Sequence, residues 1–354
     1  MGRTGAWHLS GPFGYHARRT GPESPGGPGR NRPERRNYDR RQPKPNDWPE
    51  EISPVRLATI NTTAGPRLHV RGRGGYVDLA EAAGNPRLAS VRSFLEDGAA
   101  AWDAAREAAT GEGREFEPAD FAPVVPEPGQ ILCLGLNYSE HVLEGGREMP
   151  SFPDAFMRSR ETLLAPYADL VRPALTERFD YEGELGIVIG AGGRYIPADQ
   201  AMDAIAGFSV LNDASARDWQ RAASQWTAGK NFDGSMPLGP EIVTADEVDI
   251  LDTTLTTVLN GQVMQSARTS QMIVDIPSAV EFFSSFTTLR PGDVIATGTP
   301  GGVGFARKPP VWLEPGSVIE VTIDGVGTIR NRVVAEEADV SKWRWQPNRS
   351  GGGN

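Results

Sequence analysis

Apolar and polar side chains alternate at period two along Val55-Arg-Leu-Ala-Thr-Ile-Asn61, which predicts a strand with one buried face. Leu68-His69-Val70 and Gly75–Leu79 read as two further short strands joined by Gly-rich turns, and the Ala-, Leu-, Glu- and Arg-rich stretch 79–108 reads as helical. From about residue 126 short strands dominate: Gln130–Leu136, Leu185–Ile189, Ile205–Leu211, Asp249–Leu259, Asp293–Ala296, Val318–Ile323 and Gly327–Val333. One helix, about Ile276–Phe286, lies among them. Asn260-Gly261 signals a hairpin, and Pro291-Gly292-Asp293 and Asp324-Gly325 signal turns. Many short strands with few helices predict a strand-rich α+β chain on a mixed sheet, roll or barrel, not a doubly wound α/β fold. The pattern divides into a tail at 1–52, a small N-terminal α+β domain at 53–125, a larger domain at 126–338 and a C-terminal tail at 339–354.

Composition changes this picture at the ends. Residues 1–50 hold 8 Gly and 8 Pro, with 10 Lys or Arg against 5 Asp or Glu, a local net of +5. The whole chain carries −10, so the remainder carries −15. A segment so poor in apolar residues cannot offset its ordering entropy, and both tails are expected to be disordered. The pairs Arg18-Arg19, Arg35-Arg36 and Arg40-Arg41 could touch nucleic acid, but the acidity of the rest argues against such a partner. No apolar run approaches the ~18 residues that span a bilayer. The opening lacks a secretory apolar region and is too Gly-rich for a good amphipathic transit helix, so no membrane partner and a cytoplasmic location are expected. The single Cys133 excludes an intramolecular disulfide, and within Ile-Leu-Cys-Leu it reads as a small buried hydrophobe.

Two stretches carry candidate chemistry. In Asp180-Tyr-Glu-Gly-Glu184, a strand would place Glu182 and Glu184 on one face, with Cα atoms about 6.6 Å apart. At ~4 Å, like charges near a protein surface repel by about 4 kcal/mol, which a divalent cation would relieve. Taken alone, the pair reads more readily as solvated strand charges. Asp213, at the end of the Ile205–Leu211 strand, is the third candidate ligand, provided the fold brings the segments together. An all-carboxylate set favours Mg²⁺, Mn²⁺ or Ca²⁺ over Zn²⁺ or Cu²⁺. Three carboxylates and a +2 ion leave −1, so an anionic substrate needs cations nearby; Arg217 and Lys230 follow in sequence. In Asn137-Tyr-Ser-Glu-His-Val-Leu-Glu-Gly-Gly, Asn137 is the expected N-cap of a helix of barely two turns that ends at Gly145-Gly146. His141 and Glu144 share one face of it, and Glu144 sits where the helix dipole disfavours a carboxylate. The loop Gly298-Thr-Pro-Gly-Gly-Val-Gly304 lacks a Walker ending, but its N–H groups or Thr299 could bind a carboxylate.

In sequence order, Gly-Leu-Asn-Tyr with His141-x-x-Glu144, Asp-Tyr-Glu-Gly-Glu-Leu, Asn-Asp-x-Ser-Ala-Arg-Asp-Trp-Gln, Gly-Lys-Asn-Phe-Asp, Val-Leu-Asn-Gly and Thr-Gly-Thr-Pro-x-Gly-Val-Gly resemble the fumarylacetoacetate hydrolase family over about 130–335. The resemblance implies a mixed β-sandwich or roll of the family's C-terminal type, Mg²⁺ or a similar ion, and a homodimer. By position it implies Glu182, Glu184 and Asp213 as metal ligands, and His141 and Glu144 as a lid dyad that activates water or shuttles a proton. Lys230 matches a lysine that stabilises developing negative charge, and Arg217, Gln220 and Thr299 match positions that line or brace the substrate pocket. Two departures bear on anion contacts: Leu136 stands where many members have Arg, and Arg158 where many have Lys. The expected activity is metal-dependent hydrolysis of a C–C bond in a small anionic 2-oxo or 1,3-diketo acid, acylpyruvate-like, through an enolate. The alternative is isomerisation, tautomerisation or decarboxylation of a 2-hydroxy-dienoate or an oxo-diacid, as in aromatic catabolism.

Overall fold

The computed structural model describes residues 54–344; the expected tail at 1–52 and most of the one at 339–354 lie outside the described residues. Its main strands are β1 (Arg56–Thr62), β2 (Gly65–Gly72), β3 (Gly75–Asp78), β4 (Ile131–Gly135), β5 (Asp154–Arg158), β6 (Gly183–Ile189), β7 (Ile205–Asn212), β8 (Met236–Val243), β9 (Thr254–Leu259), β10 (Gln262–Arg268), β11 (Val294–Ala296), β12 (Val318–Ile323) and β13 (Gly327–Ala335). The helices used below are α1 (Val91–Glu96), α2 (Ala99–Ala109), α3 (Ser139–Glu144), α4 (Arg217–Gln220), α5 (Thr227–Lys230) and α6 (Ile276–Phe286). The large sheet runs β3-β2-β1-β8-β7-β6-β11-β4-β5, and the second sheet is built on β10-β9-β12-β13. Most neighbours are antiparallel, while β11 and β4 are parallel, so the expected strand-rich, mixed α+β architecture is the one observed.

Alternation along β6 shows how the layers assemble. Leu185, Ile187 and Ile189 share a core with Leu255, Val321 and Ile323 of the second sheet, whereas Val188 joins the core built with α1 and α2. The large sheet is therefore covered on both faces, as its apolar burial requires. Phe94 and Trp102 anchor the helical side, their rings 4.9 Å apart edge to face. Cys133 is fully buried in that core.

Four readings need correction. The boundary near 125 does not separate two sheets, because β1 pairs with β8 and carries the N-terminal strands into the large sheet. The helical stretch 79–108 is broken: Asn85 caps a short turn led by Pro86, Ser90 caps α1, and Gly98 takes φ +61 between α1 and α2. Strands β5, β8 and β10 were not anticipated; β8 carries Pro237 and Pro240, which in sequence argue against a strand. Asn137 does not cap α3. Its amide donates to the carbonyls of Val274 (2.9 Å) and Thr297 (2.8 Å) and accepts from Val274 N–H, tying the start of α3 to two other segments. Asn260-Gly261 does turn a hairpin, with both residues at positive φ between β9 and β10.

Candidate metal centre and active site

Antiparallel pairing of β6 with β7 places Glu184 opposite Leu211, and the chain continues so that Asp213 N–H donates to Glu182 O at 2.8 Å. Side-chain parity then puts Glu182, Glu184 and Asp213 on the same face of the sheet. The segments meet: one carboxylate oxygen from each residue lies within 4.8 Å of the others. All three residues are buried, which removes the reading of Glu182 and Glu184 as solvated strand charges.

The surrounding cations distinguish the three. Lys230 Nζ lies 2.6 Å from Glu182 and 2.5 Å from Asp213. Arg217 holds the other oxygen of Glu182 at 2.5 Å and Asp180 at 2.8 Å. Arg158 reaches Asp213 and Ser235. Among the described residues, Glu184 makes no ion pair and accepts one hydrogen bond, from the Gly298 N–H at 2.7 Å. Burial alone would raise the Glu182 carboxyl, but Arg217 and Lys230 hold it well below the usual carboxylate range. Burial, with Asp213 and Glu182 alongside, pushes the Glu184 carboxyl well above it. Burial opposes the charge on Lys230, yet Asp213 and Glu182 raise its pKa.

The donor set fits a hard divalent cation. It offers only oxygen, and it contains one carboxyl that becomes fully ionised only when further positive charge arrives. Asp180, Glu182, Glu184 and Asp213 face Arg158, Arg217 and Lys230, so four carboxylates meet three cations. With Glu184 protonated the cluster is neutral, and adding +2 while that proton leaves brings it to +1, a better host for an anion than the −1 counted from the three ligands alone.

The Gly-rich loop has a different role from the one its sequence suggests. Its N–H groups hold the protein's own carboxylates: Gly298 binds Glu184, Gly302 binds Glu144 at 2.8 Å and Gly304 binds Asp180 at 2.8 Å. Gly302 takes φ +101, and a Cβ there would lie 2.2 Å from Met264 O, so only glycine lets the loop pass. Thr299 donates to Gly183 O and accepts from Gln265, bracing the glutamate strand without lining the cavity. Arg158 likewise leaves the expected substrate contacts. It is buried behind Asp213, a candidate ligand that it orients. Lys at this position cannot bridge Asp213 and Ser235 as a guanidinium does. Arg158→Lys is therefore expected to weaken Mg²⁺ binding about 10-fold, the lower end for losing an outer-shell partner, as read by calorimetric titration.

The dyad stands over the same ground. His141 Nδ1 lies 2.9 Å from Glu144 Oε1, while Glu144 Oε2 takes the Gly302 N–H. This anchor accounts for a carboxylate at the wrong end of a helix dipole. With Nδ1–H donated to Glu144, Nε2 remains as the basic nitrogen. His141, Glu182, Arg217, Gln220 and Lys230 line one cavity of about 590 Å³. Leu136 also lines it, at φ +54, a conformation rare outside glycine.

Several lining residues were not foreseen. Trp226, which precedes α5, packs where a Cβ on Gly135 would come within 2.4 Å of its ring, and its carbonyl accepts the Lys230 N–H at 3.1 Å. Phe305 carries Arg217 and Arg221 at 4.7 and 4.3 Å from its centroid and lies edge-on to His141. Arg147 rests 5.5 Å from the centroid of Trp226. Nothing in the local pattern distinguished these from surface residues. Asp180 was quoted in a motif but given no role; it is the fully buried partner that fixes Arg217.

Comparison with known proteins agrees with this geometry. The family model for the fumarylacetoacetate hydrolase C-terminal domain matches residues 130–334. Mitochondrial oxaloacetate tautomerase FAHD2A of Bos taurus is 39% identical, over 81% of this chain and 94% of its own length. The structure of fumarylacetoacetate hydrolase from Exiguobacterium antarcticum is 32% identical with a TM-score of 0.67, covering 80% of this chain and all of the other. Fumarylpyruvate hydrolase from Pseudomonas aeruginosa, in complex with Mn²⁺ and pyruvate, is 32% identical with a TM-score of 0.55, covering 61% of this chain and 92% of the other. The chain belongs to the fumarylacetoacetate hydrolase family and is one of its enzymes.

Proposed function

We propose that the enzyme interconverts the keto and enol forms of a small 2-oxo diacid, oxaloacetate being the first candidate. The observation that carries this reading is that Glu182 of the carboxylate cluster, Lys230 and His141, itself held by Glu144, line one cavity. A divalent cation on Glu182, Glu184 and Asp213, Mg²⁺ first and Mn²⁺ or Ca²⁺ as alternatives, would supply Lewis acidity to an adjacent oxo-acid. Lys230 and Arg217 place positive charge where an enolate oxygen or carboxylate would lie. Arg217 Nη2 is buried with no hydrogen-bond partner among the described residues, a donor ready for such an oxygen. His141 Nε2 takes the proton from C3 as the C2=C3 bond forms. The resulting imidazolium, steadied by Glu144, gives that proton to the C2 oxygen to complete the enol, and the reverse passage restores the keto form.

Sequence alone put C–C hydrolysis first. Tautomerisation now leads because the bovine relative that bears that name aligns over nearly its whole length. Hydrolysis would use the same dyad on water, in keeping with the resemblance to the Exiguobacterium and Pseudomonas enzymes. The described residues contain no helix long and apolar enough to cross a membrane. We read the enzyme as a cytoplasmic homodimer; the lone buried Cys133 suits a reducing compartment, whereas the bovine relative is named mitochondrial.

The test follows enol-oxaloacetate decay, C3 proton exchange and acylpyruvate cleavage separately, with Mg²⁺ and after chelation. Metal-dependent exchange without cleavage is the expected result. Cleavage of acylpyruvates without exchange of oxaloacetate would install the hydrolase, and full activity in a chelated sample would reject both.

A further inference from the structure

Two arginines at the cavity have no role in the chemistry above. Arg217, Lys230 and Arg158 are all paired with carboxylates. Arg147 and Arg221 also border the cavity, yet neither makes an ion pair or a side-chain hydrogen bond among the described residues. Their contacts are aromatic: Arg147 lies over Trp226 and Arg221 over Phe305. Stacking fixes the plane of a guanidinium while leaving its N–H edge open to a planar anion. Arg221 shares the Phe305 ring with Arg217, so it stands one ring away from the group that holds Glu182. Partial desolvation, then Arg217 and Arg147 beside it, makes Arg221 less basic than an ordinary arginine. Arg147 and Arg221 thus bring positive charge to a cavity that Asp154 also lines, and no ion pair among the described residues answers either arginine.

We propose that Arg221, with Arg147, forms the contact that selects 2-oxo acids bearing a second, distal carboxylate over monocarboxylic ones. This rests on the reading of the site as one for a 2-oxo acid. The 2-oxo carboxylate end belongs to the cluster of Glu182, Asp213, Lys230 and Arg217. A second carboxylate, carried further along the substrate, meets the N–H edges of Arg221 and Arg147. Leu136 at the cavity wall offers no charge of its own, which leaves these two arginines to supply it.

The experiment uses the full chain loaded with Mg²⁺ and compares the binding of L-malate and L-lactate by calorimetry. Both present the same 2-hydroxy-carboxylate, neither enolises, and only malate has a distal carboxylate. Wild type is expected to prefer malate, and added salt is expected to shrink that preference. Arg221→Gln should lower the malate-to-lactate affinity ratio by about tenfold, the scale of one lost charged contact. Arg147→Gln should lower it less, because Arg147 rests on Trp226 whereas Arg221 shares the Phe305 ring with Arg217. Arg221→Lys, which keeps the charge and disturbs Phe305 least, should retain much of the preference. Equal binding of the two acids by wild type, or an equal loss of both in Arg221→Gln, would overturn the proposal. A malate preference that behaves as expected in a protein that does not tautomerise oxaloacetate would uphold the anion contact and reject the reaction instead.

Discussion

Glu184→Gln is expected to abolish turnover while making the metal-free protein more stable. Glu184 is a candidate ligand whose one hydrogen bond among the described residues comes from the Gly298 N–H, an interaction that a Gln carbonyl oxygen retains. Its carboxyl is raised by burial and by Asp213 and Glu182. A raised carboxyl binds its proton more tightly in the folded chain, so its contribution to stability falls as pH climbs above the unfolded value of about 4.3. Gln imitates the neutral acid at every pH. The metal-free variant should therefore exceed wild type by on the order of 1–3 kcal/mol near pH 8, and the difference should shrink toward pH 4. Chemical denaturation after chelation reads this. Mg²⁺ binding to wild type should release a proton, seen as a buffer-dependent calorimetric enthalpy, and the variant should bind Mg²⁺ weakly with no such release. Activity should fall by about a hundredfold or more, on the scale of losing a central electrostatic group. A variant that is destabilised at all pH values, or that retains metal-dependent turnover, contradicts the assignment.

His141→Gln is expected to separate proton transfer from metal binding. His141 lines the cavity and is held through Nδ1 by Glu144, so removing its imidazole takes away the base but none of the three carboxylates. The exchange rate at C3 should fall by about 10²–10⁴-fold, the usual worth of a positioned acid or base, with the Mg²⁺ titration little changed. Glu144→Gln should cost less, since it weakens the orientation of the ring and one bond to Gly302 but leaves the nitrogen that moves the proton. Proton exchange that survives in His141→Gln would move the base to another residue.

The carboxylate cluster was legible through the ordered motifs of the family resemblance, since local strand logic alone left the two glutamates as solvated charges. Period-two parity puts Glu182 and Glu184 on one face, and a strand end offers Asp213. What the sequence could not supply was the register of β6 against β7, which alone makes Asp213 the neighbour of Glu182. The role of Arg158 was misplaced, and that of Thr299 left open between lining and bracing, for a related reason. A residue type suited to anions does not reveal whether it faces the substrate or the back of a ligand, and here both are buried behind the glutamate and aspartate segments. Phe305, Trp226, Arg147 and Arg221 come from loops and short helices with no periodicity, and only tertiary folding brings them to the cavity. In the fold, the Pro residues that hid β8 also hid the join between the N-terminal strands and the rest, since β8 is the strand that β1 pairs with.

The most direct test of the central claim is an anomalous difference map at the manganese edge from crystals grown with Mn²⁺. The account expects a peak bounded by carboxylate oxygens of Glu182, Glu184 and Asp213. A fully occupied Mn²⁺ elsewhere, with those three side chains still tied only to Lys230, Arg158, Arg217 and Gly298, would contradict it.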